Sequence, residues 1–228
     1  MNFRLMQLCD SALPIGGYTH SWGLESAISR RQVHDAATLE QWTRDWLTFA
    51  LGPLEGVIVA NVCRAALTDD FAGIVRATEI LTASLNVPSM RAASREMGEQ
   101  LLALGAVWCW SADGIQRVLE TIAREECGTT WHHAVVFGIT GALAGAGAQE
   151  TLAAYFHQAS LGMIGAGVRA IPVGHTHGQQ ILAYLQDELR ALTAELCDRP
   201  LEMAGSACPF YEVLCDEQTR LFSRMFRS

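Results

Sequence analysis

Lysine is absent from this 228-residue chain: all sixteen basic residues are arginine, set against twenty-four Asp and Glu for a formal charge of −8. Such a balance offers no cationic footprint for a phosphate backbone, so nucleic acid is not an expected partner. Close Cys-x-x-Cys pairs are missing too. Cys9, Cys63, Cys109, Cys127, Cys197, Cys208 and Cys215 are odd in number and scattered, which argues against a zinc module and for reduced thiols. No apolar run reaches the roughly 20 residues of a membrane span; the least polar window, "AVVFGITGALAGAGA" at 134–148, reads as a buried helix. The opening "MNFRLMQLCD" has no long apolar stretch of a secretory leader, so a cytoplasmic protein without membrane association is expected. Alternating β-branched runs are also missing, which excludes an extended sheet.

Half of the residues are hydrophobic, enough for one sizeable core. Apolar positions recur at helical spacing, as in Trp42, Trp46, Phe49 and Ala50, or Leu101, Leu102, Leu104 and Trp108. The spacing predicts an all-α, single-domain bundle of about ten helices, at 2–9, 21–30, 38–51, 53–67, 70–85, 89–109, 114–126, 132–147, 149–169, 175–197 and 216–226. Thr38 with Gln41, Asp113 with Gln116, and Thr176 with Gln179 have the capping-box spacing, and Pro53 suits a first helical turn. Gly141 and Gly145, four residues apart, are expected to admit a neighbouring backbone. Residues 1–197 form the predicted bundle; 198–228 form an arm, aperiodic over 198–216, that ends in an amphipathic docking helix with Arg220, Arg224 and Arg227 on one stripe.

Three segments invite a chemical reading. "LPIGGYTHSWGLE" at 13–25 is glycine-rich, yet it lacks G-x-x-x-x-G-K and a preceding strand, so a phosphate cradle is not supported and a packed turn is the plain alternative. "GHTHGQ" places His175 and His177 two apart, whereas a helix presents two ligands to one ion at i, i+3 or i, i+4; only convergence at a loop–helix junction would let them share a metal. His132 and His133 are adjacent, and His20 lies in the opening loop. No G-x-S-x-G or cysteine-protease context accompanies a nucleophile, and the acid pairs Asp69–Asp70 and Glu125–Glu126 fall near helix ends, where solvated carboxylates are ordinary. The tail "EQTRLFSRMFRS" combines arginines with Leu221, Phe222, Met225 and Phe226, a composition that suits either docking on the bundle or anchoring a partner.

Taken in order, "LPIGGYTHSWGLE", "MRAASREMGEQLL" at 90–102, "WHHAVVFGITGALAG", "IPVGHTHGQQIL" and a terminal R-x-F-R-S resemble the urease accessory protein UreF family along essentially the full length. The resemblance implies an all-α homodimer without catalytic activity or cofactor. It further implies an adaptor in nickel insertion into apo-urease, bridging UreD (also called UreH) and the GTPase UreG. The family's partner-binding positions correspond to Pro14, Gly16, Gly17, Ser21, Gly23, Leu24 and Glu25 in the first loop, and to Pro172, Gly174, Thr176, Gly178 and Gln179 at the junction. In the tail they correspond to Arg224, Met225, Phe226, Arg227 and Ser228. The chain departs from the family pattern at His175 and His177, where Q-T-D-G-Q is common, and at Gln218 and Thr219, where His-Glu is common. Neutral imidazoles suit nickel, so a transient nickel contact at His175 and His177 is a hypothesis, and a metal-dependent helical enzyme using those histidines is the alternative.

Overall fold

Asp35 starts the longest helical element. Its carboxylate accepts the Thr38 N–H at 2.8 Å while the Thr38 hydroxyl accepts the Asp35 N–H at 3.0 Å, a reciprocal capping box three residues ahead of the expected start. From there α3 (Ala36–Asp45), a π-helical stretch (Trp46–Gly56) and α4 (Val57–Leu67) run as one rod, Ala36–Leu67. Two helices broken at Pro53 were expected, and the structure joins them. Proline has no N–H to give, so a helix running through it frees carbonyls. Here the carbonyl of Phe49, four residues earlier, accepts from Ala207 N–H at 2.9 Å, and that of Pro53 accepts from Gly205 N–H at 3.0 Å. The arm after residue 198 is therefore fastened to the rod by two backbone hydrogen bonds beside the proline. The rod is long and apolar enough to cross a membrane by composition, but 78% of its apolar window is buried inside the protein, which marks a core helix.

The computed structural model describes residues 1–124 and 129–228; Glu125, Glu126 and Cys127, singled out above, lie outside the described residues. Around the rod stand α1 (Phe3–Leu8), α2 (Leu24–Ser29), α5 (Phe71–Ser84), α6 (Pro88–Gly105), α7 (Ala112–Arg124), α8 (His133–Leu143), α9 (Ala148–Ala170), α10 (His175–Leu196) and α11 (Pro209–Gln218). With the rod counted once, the described residues form ten helices and no strand, the all-α bundle that the periodicity predicts.

The core centres on α8, which packs between α4, α6 and α9 and is buried from His133 to Ala142. Gly141 serves the expected packing role: a Cβ there would lie 2.3 Å from Thr151 Cγ2 on α9. Gly145 does not. It follows the helix with φ +80° and open space around it, the left-handed residue that lets the chain turn towards α9. His132 just before α8 is fully buried, with Nε2 3.0 Å from the Thr82 hydroxyl and Nδ1 3.1 Å from that of Ser94. Burial, reinforced by Arg95 and Arg91, lowers its pKa to about 4.

At the other end, expectation and structure diverge. The last helix is α11 at Pro209–Gln218, most of it inside the 198–216 stretch that read as aperiodic, and residues 219–228, expected to be largely helical, are not. Pro209 opens α11 at a position where no N–H is needed, and Tyr211, Leu214 and Cys215 face inward at helical spacing. Thr219 and Arg220 close it with turn bonds to Asp216 and Glu217. Similarly, Thr176 lies within the first turn of α10 instead of capping it, because extended Gly174 takes the N-cap position.

Candidate functional site: a clasp between the tail and the glycine loop

The segment between α1 and α2 is shaped by backbone conformations that few side chains tolerate. Gly16 and Gly23 have φ of +81° and +85°, and Trp22 is held at +52°, an unusual state for a bulky residue that persists only where the surroundings fix it. At Gly23 a Cβ would also press on Cys215 Sγ and Leu214 Cβ of α11 at 3.2 Å, so the loop reaches α11 only because no side chain intervenes. A 3₁₀ turn at Gly17–Thr19 follows Pro14 and Gly16, and beyond it His20 and Ser21 are buried.

Onto this surface the tail folds back as a non-helical strap. Glu25, in the first turn of α2, accepts the backbone N–H of Met225 at 2.5 Å with one carboxylate oxygen and that of Phe226 at 3.1 Å with the other. Arg227 N–H donates to the carbonyl of Thr19 at 2.8 Å. The Ser228 backbone oxygen accepts from the N–H groups of Ser21 at 2.5 Å and Trp22 at 3.3 Å, while its hydroxyl lies 2.6 Å from His20 Nδ1. These partners claim the N–H groups that a terminal helix would have used internally, which is why the amphipathic pattern does not become a helix. Charge-assisted bonds to a carboxylate are the stronger kind, about 1.5–3 kcal/mol each, so Glu25 is the principal anchor.

Side chains complete the clasp. Phe226 is buried, and the Arg169 guanidinium from the end of α9 is sandwiched 4.9 Å from its ring centroid and 3.5 Å from that of Tyr18, donating also to the Tyr18 carbonyl at 2.6 Å. Arg227 pairs with Glu96 of α6 at 2.9 Å. Ser21 Oγ donates to Gln218 Oε1 at 3.0 Å, and Gln218 is fully buried. His20, lowered to about 4 by burial and by Arg227, stays neutral at physiological pH and so adds no charge beside the guanidinium.

Of the loop and tail positions carried over from the family, Ser21, Glu25, Met225, Phe226, Arg227 and Ser228 meet directly, and Tyr18, Thr19, His20, Trp22, Glu96, Arg169 and Gln218 join them without being among those positions. Glu96 lies within the "MRAASREMGEQLL" motif and Gln218 is a departure from the family pattern, so both carried a signal; Arg169 carried none. The junction does not join the clasp directly. Gly178 is buried against α9, whereas Pro172, Gly174, His175, Thr176, His177 and Gln179 are exposed, and the contact with the tail is made by Arg169. His175 and His177 lie in the first turn of α10, and among the described residues no three His, Cys, Asp or Glu side chains gather as a metal-holding group.

One buried polar row lies behind the loop. Tyr155 donates to the Glu55 carboxylate, whose pKa is raised by burial, and the His133 ring stands 5.4 Å from Tyr155. Glu55 borders a cavity of about 30 Å³ with Trp22 and Tyr211. Such a space suits about one or two waters and no substrate.

The strap leaves one part of the tail facing solvent: Phe222 and Met225 are fully or largely exposed, and Arg224 makes no ion pair among the described residues. The family model for UreF matches residues 33–186. This chain belongs to the UreF family. Among curated relatives, the urease accessory protein UreF of Nostoc sp. is 30% identical over 99% of this chain and 95% of its own length. The UreF proteins of Cupriavidus metallidurans and Thermosynechococcus vestitus are each 31% identical over 98% of this chain and 96% of theirs. The family match covers Glu96 and Arg169 of the clasp, whereas the glycine loop, α11 and the tail lie outside the matched segment.

Proposed function

We propose that this UreF-family chain is a non-catalytic cytoplasmic adaptor, bridging UreD/UreH and the GTPase UreG during nickel insertion into apo-urease. One observation carries the reading: the clasp holds a solvent-facing loop with Phe222, Arg224 and Met225 outward, while the Glu55 carboxylate that pairs with Tyr155 borders only a cavity of about 30 Å³. Aromatic and arginine side chains are the usual anchors of protein interfaces. Removal of residues 219–228, which begins after α11, leaves helical circular dichroism intact and abolishes co-purification of UreD/UreH. Unchanged co-purification would refute the reading.

The exposed apolar side chains Phe3 and Met6 on α1 support a homodimer, since such side chains gain by mutual burial. Sedimentation of Phe3→Glu at the concentration where the wild type dimerises tests it, a persisting dimer counting against this face. Two imidazoles on the exposed first turn of α10 suit a transient nickel contact. Equal nickel binding by wild type and the His175→Ala/His177→Ala variant removes that role.

A further inference from the structure

At the opposite end of α11 from the tail, a groove of about 410 Å³ opens between the rod, from Thr38 to Phe49, and the start of α11. Trp42 and Tyr211 line it with ring centroids 4.6 Å apart, and Tyr211 Oη donates to the Trp42 carbonyl at 3.0 Å. Trp42 is nine-tenths buried, yet its indole N–H has no acceptor in the protein. A buried donor left unpaired is unfavourable, and this nitrogen, sealed from solvent in a side chain that lines the groove, gains an outside acceptor when the ring or the rim shifts on binding. Phe49 and Phe210 stand at the rim 48% and 42% exposed. Asp45, also lining the groove, receives the Gln41 amide at 2.8 Å and has no ion pair among the described residues.

The groove therefore asks for three things together: an apolar body to cover the rim aromatics, a hydrogen-bond acceptor for Trp42, and a cation for Asp45. Phosphate and other anions are disfavoured by Asp45, and a bare metal ion would leave the aromatics uncovered. A peptide segment meets all three, because its main-chain carbonyl is the acceptor and adjacent side chains supply the rest. We propose that the groove receives a partner polypeptide segment in which an aromatic or leucyl side chain lies beside an arginine or lysine. The proposal rests on the adaptor reading and extends it. α11 turns Phe210 and Val213, three residues apart, outward along one face and leads to Phe222 and Met225, so a partner seated on the tail would continue along α11 into the groove.

The test uses the full chain co-expressed with UreD/UreH. With p-benzoylphenylalanine at position 210, irradiation is expected to join the chain to a UreD/UreH segment carrying an aromatic or leucyl residue within about two positions of an arginine or lysine. Asp45→Arg is expected to cut the retained partner about 10-fold or more with unchanged circular dichroism, as loss of a central contact does, and Asp45→Asn to cut it less. Three results overturn the proposal. If both variants retain the partner fully while removal of 219–228 loses it, the groove is idle and the adaptor reading stands. If the cross-link joins two copies of this chain, the groove is a self-interface. If the wild type retains no UreD/UreH, both readings fall.

Discussion

Helix α8 and the tail after α11 are of similar length, and opposite forces hold them. α8 is buried on every side by apolar contacts with α4, α6 and α9, and its backbone bonds are internal. The tail buries one large side chain, Phe226, and its main-chain groups are satisfied by Glu25, Thr19, Ser21 and Trp22, residues some 200 positions away. The difference teaches where cooperative stability resides and where a separable, rearrangeable element can exist: segments with few apolar contacts open at low cost without unfolding the rest.

The largest expected effect comes from one phenylalanine in each region. Phe137→Ala in α8 removes a fully buried ring and is expected to cost about 3–5 kcal/mol in denaturant unfolding. Phe226→Ala is expected to change global stability by less than about 1 kcal/mol while releasing the tail to protease, because undocking precedes unfolding. If the two variants lose equal stability, the tail belongs to the cooperative core and the contrast fails.

Acid sharpens the same comparison. For His132 and His20 the folded pKa, about 4, lies below the ordinary value near 6.5, so folding favours the neutral ring. The unfolded or undocked state then binds more protons between those values; the stabilisation is complete above about pH 6.5 and is lost as pH falls towards 4. At about 1.4 kcal/mol per pH unit, the loss is on the order of 3 kcal/mol for His132 on unfolding, and smaller for His20 on undocking of the tail, since its ring stays in the folded loop. For His132 it is expected in the unfolding free energy of the whole bundle, and His132→Asn should flatten that slope. For His20 it is expected in tail protection, read by amide hydrogen exchange at Phe226 and Arg227. A His20→Asn variant whose tail protection keeps the wild-type pH dependence would remove His20 from the clasp's control.

Most of the bundle was legible because burial writes a period into the sequence: the predicted helices at 70–85, 149–169 and 175–197 coincide with α5, α9 and α10 to within one residue at each end. What escaped was polar and non-local. Pro53 reads locally as a helix start, and neither the π-helical register that carries the rod through it nor the flanking bonds from Gly205 and Ala207 show in the sequence. The tail's helical stripe of arginines is real as a pattern, but Glu25 and Thr19 outcompete the helix for its N–H groups. Arg169 was invisible for the same reason, since an arginine at the end of a buried helix gives no hint that two aromatic rings from distant segments will enclose it.

Glu25→Ala tests the clasp at its anchor. Two backbone N–H groups lose a charged acceptor, and the exchange of Met225 and Phe226 amides is expected to quicken about 10-fold or more, with α8 amides unaffected. Quickened exchange in α8 as well would tie the two regions into one unit.

The smallest expected effect is at Glu96. Its pairing with Arg227 bridges α6 to the tail at 2.9 Å, but the side chains are 46% and 64% exposed, and ion pairs so placed contribute about 0–1 kcal/mol because water and salt screen them. Glu96→Gln keeps the side-chain length and removes the charge, so tail exchange is expected to rise by no more than about 5-fold at low salt and to match the wild type near 1 M salt. Arg227 N–H still binds the Thr19 carbonyl in that variant, which leaves the strap in register. A loss as large as that of Glu25→Ala, persisting in high salt, would mean that the guanidinium pair and not the backbone contacts holds the tail, and the polar strap would have to be redrawn around Arg227.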